Sequence, residues 1–313
     1  MKRFAILFAI AFLAVSAAVF ADTSTLIDFS KLVADTPTGQ NSATQVDFSN
    51  QAGASFTAAE KAQMTTSLAI PDWQVELNSS AQSVTNESLS MTKPVQVNKN
   101  ASQFGGDTVM GIRVHFPESP YNAYAEVVPP FDIPAYQPKN AQDTLGTKFD
   151  GYGVVKNVGS IKSLAADVYG SNFPNGFAIV LQNQNFEDRT IFLGNLQFDG
   201  WKNLEWANPN YITDVRNRDI RPVPLYPQAT PYYKLVGMII YKDSQQQGGD
   251  IITYVRDITM TYDKAVLSLN RDINDEAVWG ILGAREAARR NAEFQKLGSL
   301  QVLRYLEQQK MAK

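Results

Sequence analysis

The side chains that most often carry catalysis are scarce in this chain of 313 residues, which contains one histidine, His115, and no cysteine. A Ser-His-Asp triad would need this histidine beside a serine in a strained turn, and no Gly-x-Ser-x-Gly motif is present. Alternation along the segment places His115 on a polar face, opposite Met110, Ile112 and Val114. Without thiolates or further imidazoles, a zinc or transition-metal site is disfavoured. We therefore expect no enzymatic activity and no bound cofactor.

Acidic side chains leave two alternatives open. Two carboxylates that face each other across a groove could hydrolyse a glycosidic bond, and carboxylates on loops could hold a structural calcium ion. The spacing singles out no pair, and no loop matches a calcium-binding consensus. The carboxylates considered for hydrolysis are Asp167, Glu187, Asp188, Asp199 and Glu205. Those considered for calcium are Asp143, Asp150, Asp243 and Asp250.

Aromatic residues are unusually dense between Trp201 and Tyr211, with Trp206 between them. An exposed aromatic face stacks on a sugar ring or packs against another protein, and Trp and Tyr are favoured interface anchors. The same two tryptophans, five residues apart, could instead close the end of a hydrophobic core. Both interpretations stay open, and under the first of them these three residues form an interaction surface.

The central part of the chain has the pattern of β structure. Apolar residues alternate with polar ones, or form short runs rich in branched and aromatic side chains. These segments are residues 73–77, 108–116, 177–181, 190–198, 235–241 and 251–262. Proline-rich connections at residues 128–138 and 221–231 cannot be helix or central strand. Many short strands with Pro and Gly punctuation predict a mainly β, antiparallel β-sandwich.

Two finer features are predicted for the last two strands. The loop at residues 243–250 indicates that they form a hairpin. In the final strand Ile252, Tyr254, Ile258 and Met260 are predicted to share one face, interrupted by Arg256.

One short helix is predicted near the start of the chain. Thr57 and Glu60 have the spacing of a capping box, in which each side chain bonds the other residue's backbone N–H.

Residues 275–313 change character and predict a helical extension, because they contain no proline and are rich in Ala, Arg, Glu, Gln and Leu. Gly298-Ser299 is predicted to divide the segment into two helices. With seven basic and five acidic residues the extension is basic, whereas the rest of the chain is acidic. We expect the extension either to pack along its own sandwich or to dock on a neighbouring subunit. The basic contact residues of the second case are Arg285, Arg289, Arg290 and Arg304.

The N-terminus has the layout of a secretory signal peptide. Lys2 and Arg3 precede an uncharged, mostly apolar run at residues 4–20, and small residues favour cleavage after Ala21. No second apolar stretch of that length follows, so we expect no transmembrane segment in the mature chain. Its acidic charge argues against nucleic-acid binding. The predicted organisation is a signal peptide at 1–21, a sandwich with a polar N-terminal segment at 22–274, and a helical tail at 275–313.

Four stretches resemble one known family, the spirochaete flagellar filament outer layer (sheath) proteins, FlaA. The most specific are residues 272–282 and 300–311 at the C-terminus. Residues 200–211, with Trp201, Trp206 and Tyr211, are similar to the family's central motif, and residues 254–264 also resemble it.

The resemblance implies a jelly-roll-like sandwich similar to carbohydrate-binding modules. It implies a non-enzymatic protein of the periplasm that coats the flagellin core of the periplasmic flagellum, together with other sheath subunits, and affects filament stiffness and curvature in motility. Self-association in a lattice would follow. The alternative is a carbohydrate-binding module that recognises glycan on the filament or cell wall. The sequence does not define the filament-facing surface, the stoichiometry, whether coating is complete, or whether a glycan or calcium ion is bound.

Overall fold

The computed structural model describes residues 21–34, 43–138, 140, 142–143, 146–211, 230–265, 272–273 and 275–311. The predicted signal peptide, apart from Ala21, lies outside these residues, as does most of the connection at 221–231. None of the helices in the described ranges is both long and apolar enough to cross a membrane.

The described chain is built mainly from antiparallel strands. They are β1 Asp22–Asp28, β2 Val46–Asp47, β3 Thr65–Thr66, β4 Gln74–Leu77, β5 Met91–Gln96, β6 Thr108–Phe116, β7 Ala123–Val128, β8 Val154–Lys156, β9 Val158–Ser171, β10 Gly176–Asn183, β11 Asp188–Asn195, β12 Asp199–Ala207, β13 Tyr232–Lys242 and β14 Gly249–Lys264. The helices are α1 Ala58–Ala62, α2 Val84–Leu89, α3 Asp275–Trp279 and α4 Ile281–Met311.

Two six-stranded sheets form the sandwich. Sheet I has the order β12-β9-β14-β6-β5, with β1 also paired to β14. Sheet II has the order β11-β10-β13-β7-β4, with β8 also paired to β13. The chain passes repeatedly from one sheet to the other, as from β6 to β7 and from β12 to β13, which is the jelly-roll-like connectivity that was expected. The prediction of an antiparallel sandwich with a C-terminal helical extension is confirmed.

The core lies between the two sheets and follows from alternation along each strand. In β9, Leu164, Ala166 and Val168 are fully buried, whereas the residues between them face outward. Successive side chains of a strand point to opposite faces, so alternation gives each sheet one apolar inner face. His115 follows the same rule, because it lies on the outer face while Met110 is buried inside.

The predicted hairpin between the last two long strands is wrong. β13 pairs within sheet II, whereas β14 pairs with strands of sheet I. The loop at residues 243–248 therefore crosses from one sheet to the other, over the separation of about 10 Å that is typical of packed sheets. Each strand already has partners within its own sheet, so neither has an edge left for the other.

The predicted shared face of β14 is also wrong. Ile252 is 37% exposed, whereas Ile258 and Met260 are fully buried. The pairing with β9 shifts register between Val255 and Asp257, so one residue is inserted there. Such a bulge sends the later side chains to the opposite face of the sheet. Tyr254 therefore faces outward with Ile252.

The capping box at the start of α1 is confirmed. The backbone N–H of Thr57 donates to Glu60 Oε2 over 2.7 Å, and the backbone N–H of Glu60 donates to Thr57 Oγ1 over 3.3 Å.

The predicted break at Gly298 is wrong, because α4 continues through it without interruption. The chain breaks instead at Gly280, whose φ of 58° lies in the left-handed region that favours glycine. Gly298 is buried against Gln51, and a Cβ there would lie 2.7 Å from Gln51 Cβ and 2.8 Å from Gln51 Cδ. This glycine allows α4 to approach the N-terminal segment closely.

Candidate functional site

Three aromatic side chains form a row across the outer face of sheet I. Trp201 of β12 lies opposite Tyr169 of β9, which lies opposite Tyr254 of β14. The ring centroids of Trp201 and Tyr169 are 5.4 Å apart, and those of Tyr169 and Tyr254 are 5.7 Å apart. Neighbouring rings meet edge to face, at 79° and 78°. This geometry is favourable between aromatic quadrupoles, so the rings hold one another in place.

A glycine continues the row on the next strand. Gly111 of β6 lies opposite Tyr254. A Cβ at Gly111 would lie 2.8 Å from Val95 Cγ2 and 3.3 Å from Tyr254 Cδ1. The missing side chain leaves the space into which Val95 and Tyr254 pack.

The loop at residues 97–107 closes one end of this row. Phe104 in the loop meets Trp201 with ring centroids 4.9 Å apart and an angle of 80° between the ring planes. β5 and β12 are opposite edges of sheet I, so the loop that follows β5 reaches across the face. Arg256 supports it, because its Cζ lies 4.5 Å from the Phe104 ring centroid and its Nε donates to Asp107 over 3.0 Å.

The loop and the aromatic row enclose a depression of about 570 Å³, which we call the aromatic cup. Its lining includes Trp201, Tyr169, Tyr254, Asn98 and Gln103, and the residues found to line it are all uncharged. Volumes of 300–1,000 Å³ are typical of small-molecule sites, which combine apolar walls with a few polar groups.

A row of polar side chains lies beside the aromatic row. Asn203, Asp167 and Asp257 occupy facing positions on β12, β9 and β14. Asn203 Nδ2 donates to Asp167 Oδ1 over 2.7 Å, which orients both side chains. Burial raises the pKa of the Asp257 carboxyl, and the negative charge of Asp167 raises it further, although Arg256 acts in the opposite direction. The outer face of sheet I thus places hydrogen-bonding groups next to aromatic rings.

The other two aromatic residues predicted as an interaction surface lie away from the cup. Trp206 is partly buried against the main core, and Arg189 Cζ lies 5.0 Å from its ring centroid. Tyr211 is also partly buried, and its hydroxyl donates to the Asp263 carboxylate over 3.0 Å. The structure therefore assembles Trp201 with Tyr169 and Tyr254, which the sequence did not assign to an interaction surface, and not with Trp206 or Tyr211.

Helix α4 lies on the chain's own body through one face. Tyr305 joins a small core with Phe48 and Met64, Gln301 Nε2 donates to the carbonyl of Pro130 over 3.0 Å, and Leu297 joins the main core. The part of α4 from Leu297 to Tyr305 therefore packs against the chain's own body, as the first of the two predicted alternatives requires.

The four arginines predicted as contacts are distributed differently along α4. Arg304 is partly buried and donates to the carbonyl of Pro130. Arg289 lies beside Tyr136, whose pKa is raised mainly by burial. Arg290 is partly buried and Arg285 is exposed, so Arg285 is the member of the set most open to another molecule.

Glu293 is partly buried and anchors the helix to the body of the protein. Its carboxylate accepts the backbone N–H of Ala135 over 3.0 Å, and burial raises its pKa. The hydroxyl of Tyr232 lies 3.5 Å from the other carboxylate oxygen. The adjacent Lys234 is almost fully buried and pairs with Asp132 over 2.8 Å.

His115 lies in an ion-pair cluster at the surface. Its Nδ1 is 2.8 Å from Asp250 Oδ1, and Arg113 Nη2 is 2.9 Å from Asp250 Oδ2. The hydrogen bond from Arg113, followed by that from His115, lowers the pKa of the Asp250 carboxyl. The two hydrogen bonds that Arg113 and His115 make to one carboxylate give a structural explanation for these residues.

The acidic residues considered for hydrolysis and for calcium are mostly held by local bonds. Asp143 accepts backbone N–H groups of its own loop, and Glu187 and Asp188 accept amides of Asn183 and Gln182. Within the described ranges, no group of three or more His, Cys, Asp or Glu side chains is arranged to hold a metal ion. Asp167 does not line the aromatic cup, but it lies two residues before Tyr169 on the outward face of β9.

The fold places the chain in the class of jelly-roll-like β-sandwich proteins. It presents an aromatic cup on sheet I and carries a C-terminal helical extension. The profile of the family described as "Flagellar filament outer layer protein Flaa" matches residues 37–271. A flagellar filament outer layer protein of Spirochaeta aurantia is 50% identical over 100% of this chain and 94% of its own length. One of Treponema pallidum is 42% identical over 100% of this chain and 95% of its own length. The chain belongs to the flagellar filament outer layer protein family.

Comparison with solved structures returns carbohydrate-binding modules at low similarity. One is TmCBM61 in complex with β-1,4-galactotriose, with 12% identity, a TM-score of 0.29, and coverage of 62% of this chain and 90% of that chain. Another is the family 11 module of a Clostridium thermocellum cellulase, with 12% identity, a TM-score of 0.27, and coverage of 64% and 91%. TM-scores this low support no inference, so the fold rests on the strand pairing described above.

Proposed function

We propose that this chain is a structural subunit of the flagellar filament outer layer, which coats the flagellin core together with other sheath subunits. The observation that carries the proposal is the similarity over the whole chain to the filament outer layer proteins of Spirochaeta aurantia and Treponema pallidum. A coat built from repeated subunits changes the stiffness and curvature of the filament, because each added contact resists bending.

Export to the periplasm is part of this proposal. Cleavage after Ala21 would leave a chain that starts at Asp22, the first residue of β1. Asp22 also pairs with Lys264 at the end of β14 over 2.9 Å. The predicted cut therefore leaves every strand that the structure describes in the mature chain. The sandwich would then occupy residues 22–274 and the helical tail residues 275–313.

The outward face of α4 is the surface we assign to subunit contacts. Leu300, Leu303 and Leu306 are 44%, 57% and 38% exposed, although the opposite face of the helix is packed on the body. Arg285 lies on the same helix and gives it exposed positive charge. A helix that presents exposed leucines and, about four turns before them, an exposed arginine suits a neighbouring subunit whose sandwich is acidic. Repetition makes such small contacts sufficient, since many engage together along a lattice.

The test measures recovery of the chain with purified filaments. Periplasmic filaments are isolated, washed with salt and examined by mass spectrometry, and abundant recovery is expected. A chain found only free in the periplasm would overturn the proposal.

Leu303→Asp tests the helix surface, with Val84→Asp as the matched control because Val84 is 85% exposed on α2. Deletion of the whole tail is a poor test, because it would uncover the core around Leu297 and Tyr305. We expect Leu303→Asp to reduce filament binding while the melting temperature stays unchanged, and Val84→Asp to bind normally. Normal coating by Leu303→Asp would assign the contact to another surface.

A further inference from the structure

We propose that the aromatic cup is a binding site for a neutral saccharide, with a sugar ring against Trp201 and Tyr254 and its hydroxyl groups toward Asp167 and Asn203. This site is additional to the contacts that build the filament layer, and it does not depend on them. Three features support the inference: the shape of the cup, the uncharged residues that line it, and the row of polar side chains next to the aromatic row.

Shape favours a compact ring over an extended chain. The loop at residues 97–107 closes one end, where Phe104 contacts Trp201. The volume of about 570 Å³ exceeds what a single methylated ammonium group would fill and lies within the usual range for small organic ligands.

Preorganisation favours a real site over a chance depression. Tyr169 is held between Trp201 and Tyr254 by edge-to-face contacts on both sides. Phe104 has a φ of 55°, in the left-handed region that non-glycine residues seldom adopt, and the Arg256 guanidinium lies against its ring. Side chains that are already fixed lose little entropy when a ligand binds.

The chemistry matches a polyol with an apolar face. A pyranose presents C–H groups on its faces, which pack on aromatic rings, and hydroxyl groups around its edge, which need donors and acceptors. The uncharged lining of the cup offers no cation for a phosphate or carboxylate. Asp167 and Asn203, oriented by their 2.7 Å hydrogen bond, lie two residues from Tyr169 and Trp201 along their strands and supply an acceptor and a donor in the row beside the cup.

Two other occupants fit parts of this description and are separated by the test. Aromatic rings near a carboxylate also bind quaternary ammonium groups, and aromatic grooves bind proline-rich peptides. The ammonium group does not need the polar row or the volume, and a peptide in extended conformation would meet the closing loop. Choline chloride and a decaproline peptide are therefore included as competing probes.

The experiment uses the protein purified from the periplasm and isothermal titration calorimetry. The probes are methyl β-glucoside, maltose, cellobiose, lactose and N,N′-diacetylchitobiose. We expect binding to at least one of them, and a loss of affinity of at least about tenfold for Trp201→Ala and for Tyr254→Ala, because buried Trp and Tyr anchors carry most of the affinity at such sites. Trp201→Phe, which keeps a ring, should retain part of the affinity.

Trp279→Ala is the matched control, since Trp279 is 69% exposed on α3 and lies outside the cup. It should leave the affinity unchanged, and melting temperatures verify that each variant is folded. Equal loss in Trp279→Ala, or full binding by both Trp201→Ala and Tyr254→Ala, would overturn the inference. Preference for choline or decaproline over every sugar would also overturn it.

A saccharide could come from the cell wall or from a glycosylated filament. Co-sedimentation with isolated sacculi and with isolated filament cores, each before and after periodate oxidation of vicinal diols, distinguishes the two sources. Periodate-sensitive binding that Trp201→Ala abolishes identifies the source and supports the site. Binding to cores that Trp201→Ala preserves, with no binding to sacculi or sugars, would leave the filament function standing and refute the saccharide site.

Discussion

Gly298→Ala is expected to loosen the seating of α4, even though alanine is the better helix former. A glycine to alanine change in a helix interior gains about 1 kcal/mol from propensity alone. Here the new Cβ would lie 2.7 Å from Gln51 Cβ and 2.8 Å from Gln51 Cδ. Because Gln51 Cβ is attached to the backbone, rotation of the side chain cannot remove the overlap, and overpacking costs about 1–3 kcal/mol. The net expectation is a loss of up to about 2 kcal/mol.

Gly283→Ala is the matched control on the same helix. Its Cβ would meet Glu276 Oε1 at 3.6 Å, an ordinary contact, so we expect a gain of up to about 1 kcal/mol. Urea unfolding followed by circular dichroism gives the midpoints of both variants and of Gln51→Gly/Gly298→Ala, which is compared with Gln51→Gly because it removes Cβ, Cγ and Cδ of Gln51, the three atoms closest to the new Cβ. A Gly298→Ala midpoint equal to or above that of Gly283→Ala would refute the close approach. Failure of the double variant to recover stability would refute Gln51 as the partner.

Three further predictions concern buried groups. Burial raises the pKa of Glu293, so the folded state binds its proton more tightly than the unfolded state, and this group's contribution to stability falls as pH rises through its folded pKa. Glu293→Gln should therefore gain stability relative to the native chain from about pH 4 to pH 7. Urea titrations measure this difference in stability, and a difference that does not change with pH would contradict the prediction. Asp132→Ala should lower the free energy of unfolding by about 3 kcal/mol, because it removes the carboxylate that pairs with the buried Lys234 ammonium. Lys234→Met should cost less, because the carboxylate that it leaves unpaired with Lys234 is partly exposed. The reverse order of unfolding midpoints would refute the argument. Gly111→Ala should lower the melting temperature and change the near-ultraviolet circular dichroism of the aromatic row, because its Cβ would lie 3.3 Å from Tyr254 Cδ1; an unchanged spectrum would contradict it.

The sequence by itself determined the features that depend on neighbouring residues. Alternation of apolar and polar side chains gave the strands and their inner faces, because side-chain direction has a fixed period of two. The capping box of Thr57 and Glu60 was readable because both partners lie within one turn. The helical extension was readable from composition, and the C-terminal and central motifs were enough to identify the family.

Tertiary structure alone decided which residues meet across the sheets. The bulge between Val255 and Asp257 turned Tyr254 outward, and strand order then placed it beside Tyr169 and Trp201. A row that crosses three strands depends on register, which short-range patterns do not specify once a residue is inserted.

Two glycines of the helical tail, Gly280 and Gly298, also differ in a way that only the tertiary structure shows. Gly280 ends a helix through its own backbone conformation, whereas Gly298 lies inside a helix to make room for Gln51, a residue far away in the chain. Both have the same local signature, and only the packed structure shows that one breaks the helix while the other seats it.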